Sequence, residues 1–147
     1  MPNDTPHPVV MDLAETGAFL DREFPQMNAG GRAFRLEAVG SLSARMRLSG
    51  DERFLRPGGT LSGPAMMALA DYALYAAILA NIGPVALAVT TSLTFNFLRK
   101  PAGLDLIADV RLLKLGRRLA VGEVMVVDPG SGDLVAQANG TYSIPPR

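Results

Sequence analysis

The chain has no cysteine and a single histidine, His7. Without cysteine there is no disulfide framework, no thiolate zinc site and no cysteine nucleophile. His7 lies in Met1–Val10, a stretch with three prolines. A Ser–His–Asp triad or a histidine-based metal site would have to recruit a terminal segment of a kind that is seldom well ordered. No metal site is therefore expected, and if the chain is a hydrolase its base is a carboxylate. A surplus of charge is lacking too: fourteen basic residues balance fourteen acidic ones. That leaves no broad electrostatic footprint for nucleic acid. The first ten residues carry no basic cluster of the signal or transit type, so a cytoplasmic location is expected.

One long apolar run is present. Gly63–Ile82 contains a single charge, Asp71, and no Lys or Arg stands within six residues on either side. A carboxylate at a bilayer centre costs about 2.5–3.5 kcal/mol, and the flanking cations and aromatics of a membrane span are missing. The run reads as a buried core helix.

The 147 residues fit one domain over 1–147, with 1–10 as a flexible leader. The composition is 48% hydrophobic and 19% charged, which suggests buried subunit interfaces, since extended apolar surface usually marks contacts. Met11–Phe24 reads as an amphipathic helix ended by Pro25. Arg32–Val39 and Leu42–Leu48 alternate in polarity around Gly40-Ser41 and predict a hairpin. Asp51–Leu61 is a loop with Pro57-Gly58-Gly59. The long helix follows, capped by Ser62 and stopped by Asn81, Gly83 and Pro84. Four more strands are expected, over Ala86–Leu98, Leu104–Leu115, Arg118–Asp128 and Leu134–Ser143, with short connections implying antiparallel neighbours. This order gives an α+β fold with the helix on one sheet face.

Asp71 is the chemically notable residue of the helix. A carboxylate taken out of water needs partners, and such groups serve as general bases or as purely structural ones. On Ala86–Leu98 the odd positions Val89, Thr91, Leu93, Phe95 and Phe97 should face the helix, making Thr91 the one hydroxyl on that face; a register error of one residue would substitute Thr90. The loop Gly58–Gly63 fits the spacing G-x-x-x-x-G, but Pro64-Ala65 replace the Lys and Ser/Thr of a nucleotide loop, and a G-x-G is missing. What remains is a glycine-rich helix start, whose free N–H groups favour an anion or a developing oxyanion.

Ser62-Gly63-Pro64-Ala65-Met66-Met67-Ala68-Leu69-Ala70-Asp71, followed by a four-stranded meander, resembles the hot-dog-fold acyl-CoA thioesterases, specifically the PaaI-like branch named for phenylacetate degradation. The likeness runs from about Gly59 to Tyr142. It implies a long central helix packed on a curved antiparallel sheet, and hydrolysis of acyl-CoA to free acid and CoA. It makes Asp71 the nucleophile or the base for water, Gly63 N–H the carbonyl's polarising group and Thr91 a hydroxyl that helps place the water. It also implies a site at a subunit interface of a homodimer or homotetramer, a small-molecule acyl-CoA substrate, and no cofactor beyond the CoA of that substrate. The family's Asn and His positions are Arg56 and Ser62 here. Arg56 could bind a thioester or phosphate oxygen, or pair with Asp71. Ser62 can cap the helix. Arg99, Lys100, Arg117 and Arg118 are candidates for the CoA phosphates. The alternative is a non-catalytic acyl-CoA binding or sensing protein, motivated by the two substitutions.

Overall fold

The structure, a computed structural model, describes residues 6–147. Helix α1 spans Leu13–Glu23, and Asp12 caps it in a reciprocal box with Glu15. Pro25 begins a short 3₁₀ turn, Pro25–Asn28. Strands β1, Phe34–Gly40, and β2, Ser43–Ser49, form the expected hairpin. Helix α2 spans Gly63–Ile82 with Ser62 Oγ accepting the Ala65 N–H at 3.2 Å. Gly83 closes it at φ +100°, a conformation that suits glycine. Strands β3, Val89–Phe97, β4, Asp105–Leu115, β5, Leu119–Val127, and β6, Leu134–Ser143, follow.

All six strands form one antiparallel sheet in the order β1-β2-β4-β5-β6-β3. One expectation fails here. β3 and β4 are consecutive but not neighbours: the meander is β4-β5-β6, and β3 returns to pair with β6 at the far edge. Residues 98–104 between them, with Pro101, form a crossing and not a tight turn. Register breaks in four of the five strand pairs supply the curvature.

The concave face holds α2, the apolar run read as a core helix. Leu69, Ala70, Ala73, Leu74, Ala76 and Ala77 are fully enclosed. The helix approaches the sheet tightly over the cross-strand pair Gly122 and Gly140, where a Cβ on either would come within 2.5 Å of Leu74. At the helix end, Asn81 is 1% exposed and its amide is fully used. Oδ1 accepts the Leu42 N–H at 3.0 Å, and Nδ2 donates to Gly40 O and Ala77 O at 3.2 and 2.8 Å. Leu42 itself stands at φ +53°. The leader expected over 1–10 lies half outside the described residues. Within the described part, the Val10 and Met11 N–H groups both donate to Ala80 O, and His7 Nδ1 lies 3.2 Å from Asn81 Oδ1.

Candidate active site

Residues four or three apart share a helix face, and Ala68, Asp71, Tyr72 and Tyr75 form the α2 wall of a cavity of about 490 Å³. Phe24 and Met27 stand on another side, and Ala88, Val89, Thr90 and Tyr142 close it from the sheet. Asp71 is half-buried. Its Oδ1 accepts two hydroxyl protons, from Thr90 Oγ1 and from Tyr142 OH, each at 2.6 Å. These lengths belong to the strong, charge-assisted class. Thr90 and Tyr142 are register partners on β3 and β6, so the sheet itself aims both hydroxyls at one oxygen. The Tyr142 OH also lies 2.9 Å from the Asp71 main-chain oxygen.

Oδ2 has no partner among the described residues. No buried side-chain oxygen or nitrogen goes unpartnered among them, so Oδ2 faces accessible space. One carboxylate oxygen is thus clamped and the other is open to the cavity. Burial, then the adjacent Asp71 charge, push Tyr142 far above the ordinary phenol range, so it remains a proton donor. Tyr72 is pushed up to about 12, mainly by burial, and Tyr75 is raised by burial while its OH donates to Ala86 O at 2.8 Å.

Thr91, expected beside Asp71, is not there. A register break between Thr90 and Ser92 places Thr91 outside the regular pairing with β6, so the inward parity changes along β3. Thr90 turns in before the break, while Leu93 and Phe95 turn in after it. Thr91 is exposed and donates to Thr141 O at 3.2 Å. Val89 and Phe97, also expected inward, are 57% and 52% exposed. The open choice between Thr90 and Thr91 is settled by this bulge. Tyr142 was missed: it sits in phase with Ala136, Ala138 and Gly140 on the inward face of β6, and a buried tyrosine hydroxyl needs a partner.

A second cavity, of about 530 Å³, gathers Arg56, Gly63, Phe97, Arg99 and Lys100. Gly63 is the first residue of α2, where N–H groups are free of helix partners. Ser62 is occupied as the helix cap beside it. Arg56 does not pair with Asp71, and neither Arg56 nor Lys100 forms an ion pair among the described residues; Arg99 meets Asp133 at 3.5 Å. Arg117 and Arg118 lie exposed on the β4–β5 turn, outside this cavity. Gly63 and Asp71 are eight residues apart on one helix, roughly 12 Å along its axis. The two halves of the expected site therefore do not meet within one chain. Among the described residues no cluster of His, Cys, Asp and Glu is arranged to hold a metal.

A family profile described as the thioesterase superfamily matches residues 58–135, the stretch that carries Gly63, Asp71 and Thr90. The chain belongs to the thioesterase superfamily. A crystal structure of a "putative thioesterase" from Silicibacter sp. TM1040 is 46% identical, covers 97% of each chain and superposes with a TM-score of 0.86. The phenylacetic acid degradation protein PaaI of Thermus thermophilus is 27% identical, with a TM-score of 0.70 over 82% of this chain and 99% of that one. A "putative esterase" of Saccharolobus solfataricus is 30% identical over 69% of this chain, which spans 66% of that relative. Membership of the superfamily carries the hot-dog fold and points to thioester hydrolysis, and it fits a carboxylate whose second oxygen is left free.

Proposed function

We propose that this superfamily member hydrolyses acyl-CoA thioesters as a homo-oligomer, in the manner of the PaaI-like branch. The observation that carries the proposal is the divided role of Asp71: Oδ1 is fixed by Thr90 and Tyr142, and Oδ2 opens on an apolar-walled cavity. Oδ2 takes a proton from water as the water oxygen bonds to the thioester carbonyl carbon. Gly63 N–H stabilises the resulting oxyanion. The C–S bond then breaks, the free acid remains, and the CoA sulfur leaves as thiolate and takes up the proton held on Oδ2, which restores the carboxylate.

The subunit arrangement follows from β3. It lies at the sheet edge with one side unpaired, a condition that invites strand pairing. Its Val89 end carries the Thr90–Asp71 contact, and its Phe97 end packs 3.3 Å from where a Gly63 Cβ would be. Antiparallel pairing of β3 with a two-fold copy sets the Val89 end of one chain beside the Phe97 end of the other. Each carboxylate then meets the partner copy's glycine amide, with the partner copy's Arg56, Arg99 and Lys100 nearby for the CoA phosphates. Arg117 and Arg118 remain candidates for an outer phosphate contact.

The test is Asp71→Asn, assayed by thiol release from a panel of acyl-CoA esters. General-base removal is expected to lower kcat by about 10²–10⁴-fold while the fold and CoA-ester binding persist. Undiminished turnover in the variant would remove Asp71 from the chemistry. Tight acyl-CoA binding with no thiol released by the unmodified protein would instead establish the binding or sensing function.

A further inference from the structure

One wall of the Asp71 cavity comes from outside the family-matched stretch 58–135. Pro25 cannot continue α1 and disfavours helical geometry in the residue before it. Phe24 accordingly caps the helix at φ −134°, ψ 55° and swings its ring over α2. The ring stands edge-on to Tyr72 and Tyr75, with centroids 5.6 and 6.3 Å away. The segment behind it is anchored. Asn28 Oδ1 accepts the Ala33 and Phe34 N–H groups at 2.9 Å each. Arg53, paired to Asp51, donates to Ala29 O at 2.6 Å. Phe24 is still 38% exposed, so its free face borders the cavity. Among the described residues the only charged one on the lining apart from Asp71 is Glu23, and no cation stands there.

We infer that Phe24 is a specificity-determining residue: a neutral acyl chain laid beside Asp71 ends against the Phe24–Tyr72–Tyr75 ring cluster, which limits its length. The inference rests on the acyl-CoA reading given above.

The experiment compares wild type, Phe24→Ala and Phe24→Leu on butyryl-, octanoyl- and lauroyl-CoA, and on the matching S-alkyl-CoA thioethers, which bind but cannot be hydrolysed. In a hydrophobic pocket one methylene is worth roughly 10–200-fold in discrimination. Phe24→Ala is expected to raise the lauroyl-to-butyryl ratio of kcat/KM by at least on the order of tenfold, and the ratio of thioether affinities in the same direction. Phe24→Leu falls between. Melting curves check folding, and Met27→Ala, on the same wall, replaces Phe24→Ala if that variant does not fold. Turnover by wild type with chain-length ratios unchanged in the variants overturns the role of Phe24 alone. Shifted thioether affinities without turnover in wild type keep Phe24 as a binding determinant and overturn the hydrolase reading. Neither turnover nor binding in wild type overturns both.

Discussion

Consider removing the hydroxyl of Tyr142 with its ring kept in place, Tyr142→Phe. Tyr142 is 3% exposed and holds Oδ1 of Asp71 at 2.6 Å. A hydrogen bond to a charged group contributes about 1.5–3 kcal/mol. Thr90 still satisfies the same oxygen, also at 2.6 Å, so the cost falls at the low end, about 1.5 kcal/mol. In a domain of this size that lowers the melting midpoint by roughly 3–6 °C. The kinetic effect depends on whether one hydroxyl can hold the carboxylate alone. Displacing a catalytic group by about 1 Å costs on the order of 10²-fold. Tyr142→Phe and Thr90→Val are each expected to reduce kcat less than tenfold (an estimate from the same figure). The double variant is expected to lose about 10²-fold, more than the product of the single losses, with KM little changed. Thiol-release kinetics on the four proteins gives the coupling directly. A double variant with wild-type kcat refutes the claim that the paired hydroxyls position Asp71.

Two further outcomes can be checked. Mixing Asp71→Asn with Gly63→Pro, which removes the helix-start N–H, and letting subunits exchange should restore activity that neither parent has, measured by thiol release; no recovery in proven mixed oligomers argues against a shared site. Asp128 is 5% exposed, a setting that by itself pushes its carboxyl up. The N–H groups of Gly130, Gly103 and Ala102 outweigh that and hold it below the ordinary range. A lowered carboxyl stabilises the fold above its unfolded pKa, about 3.9, and that contribution fades as pH falls through the folded value. Urea midpoints should therefore drop on the acid side in wild type, and Asp128→Asn should flatten that limb.

Much of the fold could be read from the residues because it rests on local signals. Ser62, Pro64 and Gly83 mark α2 at both ends, and its surface, apolar nearly all round, fits enclosure by a sheet on one side and α1 on another. Strand adjacency was less accessible. Nothing in residues 98–104 says whether β4 turns back beside β3 or crosses the sheet, because that is decided by which edges α2 must cover. At the site, Asp71 stood out as the one charge in a greasy helix, and Gly63 as a helix start. Its true partners depend on a bulge, and a bulge arises from how β3 and β6 pair, which the β3 residues do not encode alone. Tyr142 left only a faint trace: one large side chain in phase with the small inward residues of β6. Phe24 left a clearer one, since the following proline already required the helix to end beneath it.

The amide of Asn81 has a consequence for assembly of the chain. A bulky leucine at positive φ costs roughly 1–3 kcal/mol and endures only where its surroundings enforce it. For Leu42 the Leu112 N–H holds the carbonyl, and the contact that holds its N–H comes from a side chain 39 positions later. A peptide holding just the first two strands lacks that contact and has every reason to relax into another bend. The turn of the first hairpin thus owes its final geometry to the last turn of the long helix, and the residues nearby in sequence do not by themselves specify this corner of the molecule.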